Sequence, residues 1–131
     1  MRFQQIAANV ACALLAPLMA DKSNTHGAVL GIADVIGGGE CWLLQDGAQD
    51  LAVFVTQKIE RENGRELIVR AALQLQGGGR LTEDILPEIE RVIGHDCAVM
   101  TIHTKRAGLV RKLQKTGYQE AAKIMQKRIA K

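Results

Sequence analysis

Phe3, Ile6, Val10, Leu14 and Leu18 recur at three- and four-residue intervals, which predicts an amphipathic helix at the start of the chain. Asp21 to Asn24 read as a loop, and Thr25 suits the N-cap of a second helix carrying Val29, Ile32 and Ile36. Gly37-Gly38-Gly39 stops that helix. Glu40 to Gln45 gives a short strand signal around Trp42, and Asp46 to Asp50 suits a tight reversal. Leu51 to Arg61 and Glu66 to Gln74 are rich in β-branched residues and flank Asn63-Gly64, the dipeptide most typical of a hairpin. Beyond a glycine run, Thr82 is placed as an N-cap with Glu83 and Asp84 behind it, and the helix is expected to end near Ile93 before Gly94. Cys97 to His103 follows as a buried-strand pattern, and Ala107 to Lys115 as a cationic helix closed by Gly117. Tyr118 to Ile129 suits a last extended segment, although Glu120 to Lys127 also has helix propensity. This order predicts an α/β fold with a mixed, mainly antiparallel sheet flanked by helices and a parallel crossover about the glycine run.

At 131 residues and 47% hydrophobic, the chain is sized for one domain, with helices in 1–36 and the sheet with two further helices in 40–131. Charge is unevenly spread. Residues 101–131 hold nine Lys/Arg against Glu120 alone, while the whole chain carries only +3. A basic end of this kind meets an anionic ligand, a nucleic acid or an acidic protein, or is simply solvated. Scarcity excludes other chemistries. Ser23 is the only serine, which argues against a serine triad. Cys12, Cys41 and Cys97 fit neither a disulfide framework nor a CxxC pair, and a reducing cytoplasm is expected. His26, His95 and His103 have no ligand-like spacing, so no metal site is expected. Cys97, two residues from His95 on a strand, reads as core filler. Residues 6–20 superficially resemble a signal peptide, but Leu18 is bulky three residues before a cut after Ala20, and no stretch is long enough to span a membrane.

The most informative stretch is Gln74-Leu75-Gln76-Gly77-Gly78-Gly79-Arg80, where a strand pattern gives way to a helical one. Consecutive glycines leave backbone N–H groups uncovered by any Cβ, which suits an anion. The run lacks the Lys-Ser/Thr of a Walker loop. Taken with the long hairpin before it, the strand ending at His103-Thr104 and the helix ending at Gly117-Tyr118, this QxxGxG turn resembles that of the GNAT superfamily of acetyltransferases, in particular its short phage and prophage members. The resemblance covers about residues 25–129 and implies a cytoplasmic protein, in the host if phage-encoded, that uses acetyl-CoA. Gln74, Gly77 and Gly79 match the family positions that hold the coenzyme pyrophosphate, with Gln76, Gly78 and Arg80 beside them. The position at which many members carry an acidic Tyr is Leu113, and Tyr118 falls at a family packing position. For a general base the sequence offers Glu66 on the second hairpin strand and His103 at a strand's carboxyl end. The expected acceptor is an amine on a small molecule or a protein. The alternatives are a degenerate GNAT-like interaction or virion-associated protein, and a nucleic-acid-binding accessory protein using Lys105, Arg106, Arg111, Lys112 and Lys115.

Overall fold

Five strands form one sheet in chain order: β1 (Arg2–Gln5), β2 (Glu40–Asp46), β3 (Gln49–Arg61), β4 (Gly64–Gln74) and β5 (Val99–Ile102). The computed structural model describes residues 2–16, 36–75, 80–104, 107–127 and 129. β1 to β4 are antiparallel neighbours, and β5 lies parallel to β4. The parallel crossover contains a π-helical turn over Leu81–Ile85 that runs into α2 (Leu86–Val92). α1 (Ala8–Leu15) follows β1, and α3 (Ala107–Lys115) follows β5.

The hairpin of β3 and β4 dominates the sheet. Arg61 pairs with Gly64, so Glu62 and Asn63 form the two-residue loop, one position earlier than Asn63-Gly64 suggests. Gly64 has φ +143°, and a Cβ there would lie 2.9 Å from the Ala98 side chain, so the residue has to be glycine on both counts. The loop before β5 is clamped to this hairpin by Asp96, which pairs with Lys58 at 2.9 Å and with Arg65. Hydrogen bonding from Lys58, then a backbone hydrogen bond and the charges of Lys58 and Arg65, hold the Asp96 carboxyl well below its usual range.

Each face of the sheet carries its own core. On one face Leu44, Leu51, Ala52, Phe54, Leu67 and Val69 pack against Ile85, Leu86 and Ile89 of the crossover and Leu113 of α3. All four aromatic residues belong to this side: Phe54 is fully buried, and Phe3, Trp42 and Tyr118 pack against it. Phe3 meets Phe54 edge-on at 5.7 Å, and the Trp42 indole N–H donates to the buried Thr56 hydroxyl at 3.0 Å. On the other face α1 places Ala11 and Leu15 over Val53, Val55 and Ala71.

Several sequence-based expectations are corrected. The first helix does not include Phe3, because residues 2–5 pair with β2 as a strand. Within α1 it is Ala11 and Leu15 that are buried, whereas Val10 is exposed. A small residue at the contact lets the helix approach the sheet closely, and this turns its buried face by one position. Thr82 is not the N-cap. Arg80 holds that place, and its backbone N–H donates to the Asp84 carboxylate at 2.8 Å while Thr82 is buried inside the turn. The segment from Cys97 is not a buried strand, since β5 spans only Val99–Ile102 and lies at the sheet edge with Val99 58% exposed. Residues 118–127 form no strand. Their apolar residues come in adjacent pairs, Ala121-Ala122 and Ile124-Met125, and not in the alternation of a half-buried strand. The second helix over residues 25–35 lies outside the described residues.

The predicted hairpin, the reversal between β2 and β3, α2 with Gly94 behind it and α3 are all present. Phe54 is fully buried at the centre of the larger core. Phe54→Ala is expected to cost about 3–5 kcal/mol, read as a lowered urea midpoint at an unchanged slope.

Candidate functional site

The site is set by one extra residue in β4. Val55 pairs with Ala71 and Thr56 pairs with Val69, so Arg70 has no opposite number on β3 and forms a β-bulge. Before the bulge, Leu67 and Val69 face the larger core; after it, Ala71 joins the core under α1. The pairing with β5 ends at the same point. Its register runs from Glu66–Val99 to Val69–Ile102, while β4 continues to Gln74. β5 therefore ends beside the bulge, and Ala71 and Ala72 are the small side chains next along β4.

The face of β3, β4 and β5 that carries Glu66, Ile68 and Thr101 is not apolar like its reverse. Arg70 donates to the Gln57 side-chain oxygen at 2.7 Å across β3 and β4. The Glu66 carboxylate accepts from the Arg61 guanidinium at 2.8 Å through Oε1, and from the Thr101 hydroxyl at 2.5 Å through Oε2. These bonds, that of Thr101 first, hold Glu66 below the ordinary carboxylate range, and the neighbouring His103 adds a further attraction. His103 itself is exposed, just beyond the carboxyl end of β5. The two candidate bases are thus near enough to interact, but they differ in availability. Both oxygens of Glu66 are engaged, which lowers its capacity to take a proton.

The glycine run is only partly described. Gln74 ends β4 opposite Ala52, and the next residue, Leu75, donates its N–H to Leu51 at 2.7 Å. Residues 76–79, which hold Gln76, Gly77, Gly78 and Gly79, lie outside the described residues, and so do Lys105 and Arg106. Arg80 resumes at the head of the crossover with its guanidinium on Glu83 at 2.8 Å. Leu113 is buried in the larger core, and Tyr118 packs against the same cluster. Burial, and then the charge of Glu90, push the Tyr118 hydroxyl up to about 12. His95 and Cys97 sit in the loop before β5 and not on a strand, and burial raises the Cys97 thiol. Among the described residues no group of His, Cys, Asp and Glu is placed to hold a metal ion, and no helix is long and apolar enough to cross a membrane.

Thr101, Arg61 and the Gln57–Arg70 pair escape a reading of the sequence. The parallel register that brings Thr101 to Glu66 leaves no local trace, but Arg70 does. It is the one charged residue in the otherwise apolar run from Leu67 to Leu73, at the point where the buried face changes over.

No family model matches the chain, and no curated protein is similar to it in sequence. Solved structures do match. A putative acetyltransferase from Agrobacterium tumefaciens C58 aligns at a TM-score of 0.61 and 13% identity, covering 98% of this chain and 100% of its own. A transcriptional regulator from Bacillus halodurans C-125 aligns at 0.63 and 12% identity, covering 98% and 99%. A ribosomal-protein-alanine N-acetyltransferase from Brucella melitensis biovar Abortus 2308 aligns at 0.58 and 12% identity, covering 98% and 100%.

The Glu66 network makes a pH prediction. A carboxyl held below its ordinary value near 4.5 contributes stability that is fully present above that value and is lost as pH falls through the folded one. Glu66→Gln is therefore expected to melt below the wild type at pH 7, with the gap closing below about pH 4. Thermal unfolding of both proteins across this range checks it.

Proposed function

We propose, from a GNAT-type fold matched from end to end and a β4 that runs past the end of its parallel neighbour at a bulge, that the chain transfers an acetyl group from acetyl-CoA to an amine. The observation that carries this reading is that β5 pairs with β4 only as far as Val69–Ile102, so that β4 runs on past its parallel neighbour with the small side chains Ala71 and Ala72. A narrow thioester arm would lie along that stretch of β4. The glycines of residues 76–79 would hold the pyrophosphate by backbone N–H groups, flanked by Gln74 and Arg80. When bound, acetyl-CoA supplies an activated acyl carbon.

The chain's own residues then handle protons and position. His103 accepts a proton from the incoming ammonium, and the ionised Glu66, fixed by Arg61 and Thr101, stabilises the imidazolium that results. Backbone N–H groups of β4 polarise the acyl carbonyl. As the nitrogen–carbon bond forms, the carbon–sulfur bond breaks, the sulfur leaves as thiolate, and the second proton that nitrogen sheds on becoming an amide passes to that thiolate. Leu113 has no proton to give it and is sealed in the core. A thiol pKa of about 8.5 makes that departure tolerable without a dedicated acid.

The burial of Leu113 also favours a second reading, a binding module that keeps the fold without turnover. The Bacillus halodurans neighbour, named a transcriptional regulator, has the same fold. Calorimetry with acetyl-CoA decides first. Binding is expected, and no heat at high micromolar ligand would sink the enzyme reading. Gly78→Asp should weaken binding at least about tenfold by setting a carboxylate against the pyrophosphate, and unchanged affinity would show that the turn is not the site. His103→Ala is expected to lower kcat by about 10²–10⁴ with little change in acetyl-CoA affinity. Binding without turnover of any amine would favour the module.

A further inference from the structure

The basic side chains of this protein divide into those with a partner and those without. Along the hairpin and the crossover each has one: Lys58, Arg61, Arg65, Arg80 and Arg91 are in ion pairs with carboxylates, and Arg70 donates to Gln57. On α3 the situation is the reverse. Arg111, Lys112 and Lys115 are exposed and form no ion pair among the described residues. The acids that could answer them lie elsewhere, since Glu120 is the only one beyond residue 100.

The helix itself is cleanly two-faced. At about 100° per residue, the buried Leu113 shares one stripe with Leu109, which packs against the larger core, and with the half-buried Val110. The opposite arc carries Ala107, Gly108, Arg111, Lys112, Gln114 and Lys115, all exposed. Arg111 and Lys115 stand one turn apart with Lys112 beside them, and Gly108 lies one turn before this group on the same face. A Cβ at Gly108 would meet nothing within 4 Å, so packing does not ask for glycine there. Glycine weakens a helix relative to alanine, and what it supplies in return is bare backbone that a ligand can approach closely.

The composition of this face selects its occupant. It has no apolar side chain larger than alanine, which offers nothing to the interior of a bilayer or to an apolar protein surface. All four aromatic residues lie on the core side of the sheet, so the face has no platform on which unpaired bases could stack. Cations, an amide and a bare stretch of backbone suit a regular array of phosphates.

We propose that the exposed face of α3 docks on the phosphate backbone of a nucleic-acid duplex. Arg111, Lys112 and Lys115 each meet a phosphate, and Gly108 lets the helix lie close. Contacts of this kind position a protein on a duplex without reading its sequence. The site is separate from acetyl transfer, whose coenzyme pyrophosphate is assigned to the glycine run.

Anisotropy of a short labelled DNA duplex, titrated with the full-length protein over a range of salt, tests this. Three phosphate contacts should give a slope of log affinity on log salt of about −2.7. Each single exchange of Arg111, Lys112 or Lys115 for Gln should take about one unit off that slope. The triple exchange, at positions the core does not use, should keep the circular dichroism spectrum and lower the affinity at least about tenfold at low salt. Gly108→Leu is expected to weaken binding several-fold at an unchanged slope, and full affinity in that variant would overturn the close approach. Calorimetry with acetyl-CoA should not distinguish the triple variant from the wild type. The proposal is overturned if the wild type does not bind the duplex, if it binds a single strand of the same length more tightly, or if the triple variant binds as the wild type does. Capture by phosphatidylserine vesicles or by polyglutamate, with no duplex binding, would assign the face to a lipid or an acidic protein and overturn it too.

Discussion

Strand β4 has to serve two cores with a single alternating chain, and the extra residue at Arg70 is what allows it. Without that insertion Leu67, Val69, Ala71 and Leu73 would share one face. With it, the first pair lines the core beneath α2 and α3, and the second pair faces α1. The offset also increases local twist. β5 pairs with β4 only up to Val69, so the end of that pairing and the changeover between cores fall at one place along β4.

That place determines which side chains can meet. β5 follows β4 only as far as Val69–Ile102, far enough for Thr101 to reach Glu66 and for His103 to emerge just past the junction. Arg61 approaches the same carboxylate from the other hairpin strand. The Glu66 network therefore joins three strands on a face where polar groups stand beside Ile68, whereas the reverse of those strands is a packed interior. Polar groups held in such an arrangement are satisfied mostly by one another, which fixes their geometry before any ligand arrives.

Much of the frame was legible from local pattern. The hairpin, the reversal after β2, α2 ending before Gly94 and α3 follow from spacing and turn chemistry in short windows. The errors fall where a window is blind to what packs against it. Phe3 has helical spacing with Ile6 and Val10, yet its neighbour is β2, far along the chain, and pairing outweighs a weak periodicity. Val99 looks interior by composition but stands at a sheet edge. At the site, Glu66 and His103 could be named from sequence as titratable groups near strand ends. That a threonine and an arginine occupy both oxygens of Glu66 depends on a parallel register that only the folded chain defines.

The distribution of rings between the two faces has an optical consequence. Trp42 and Tyr118 both lie on the side of α2 and α3, and among the described residues the core beneath α1 contains Ala, Leu, Ile, Cys and Val alone. Intrinsic fluorescence is therefore a one-sided witness. It reports the loosening of the crossover and of α3, while α1 can lift from Val53 and Val55 without changing the emission.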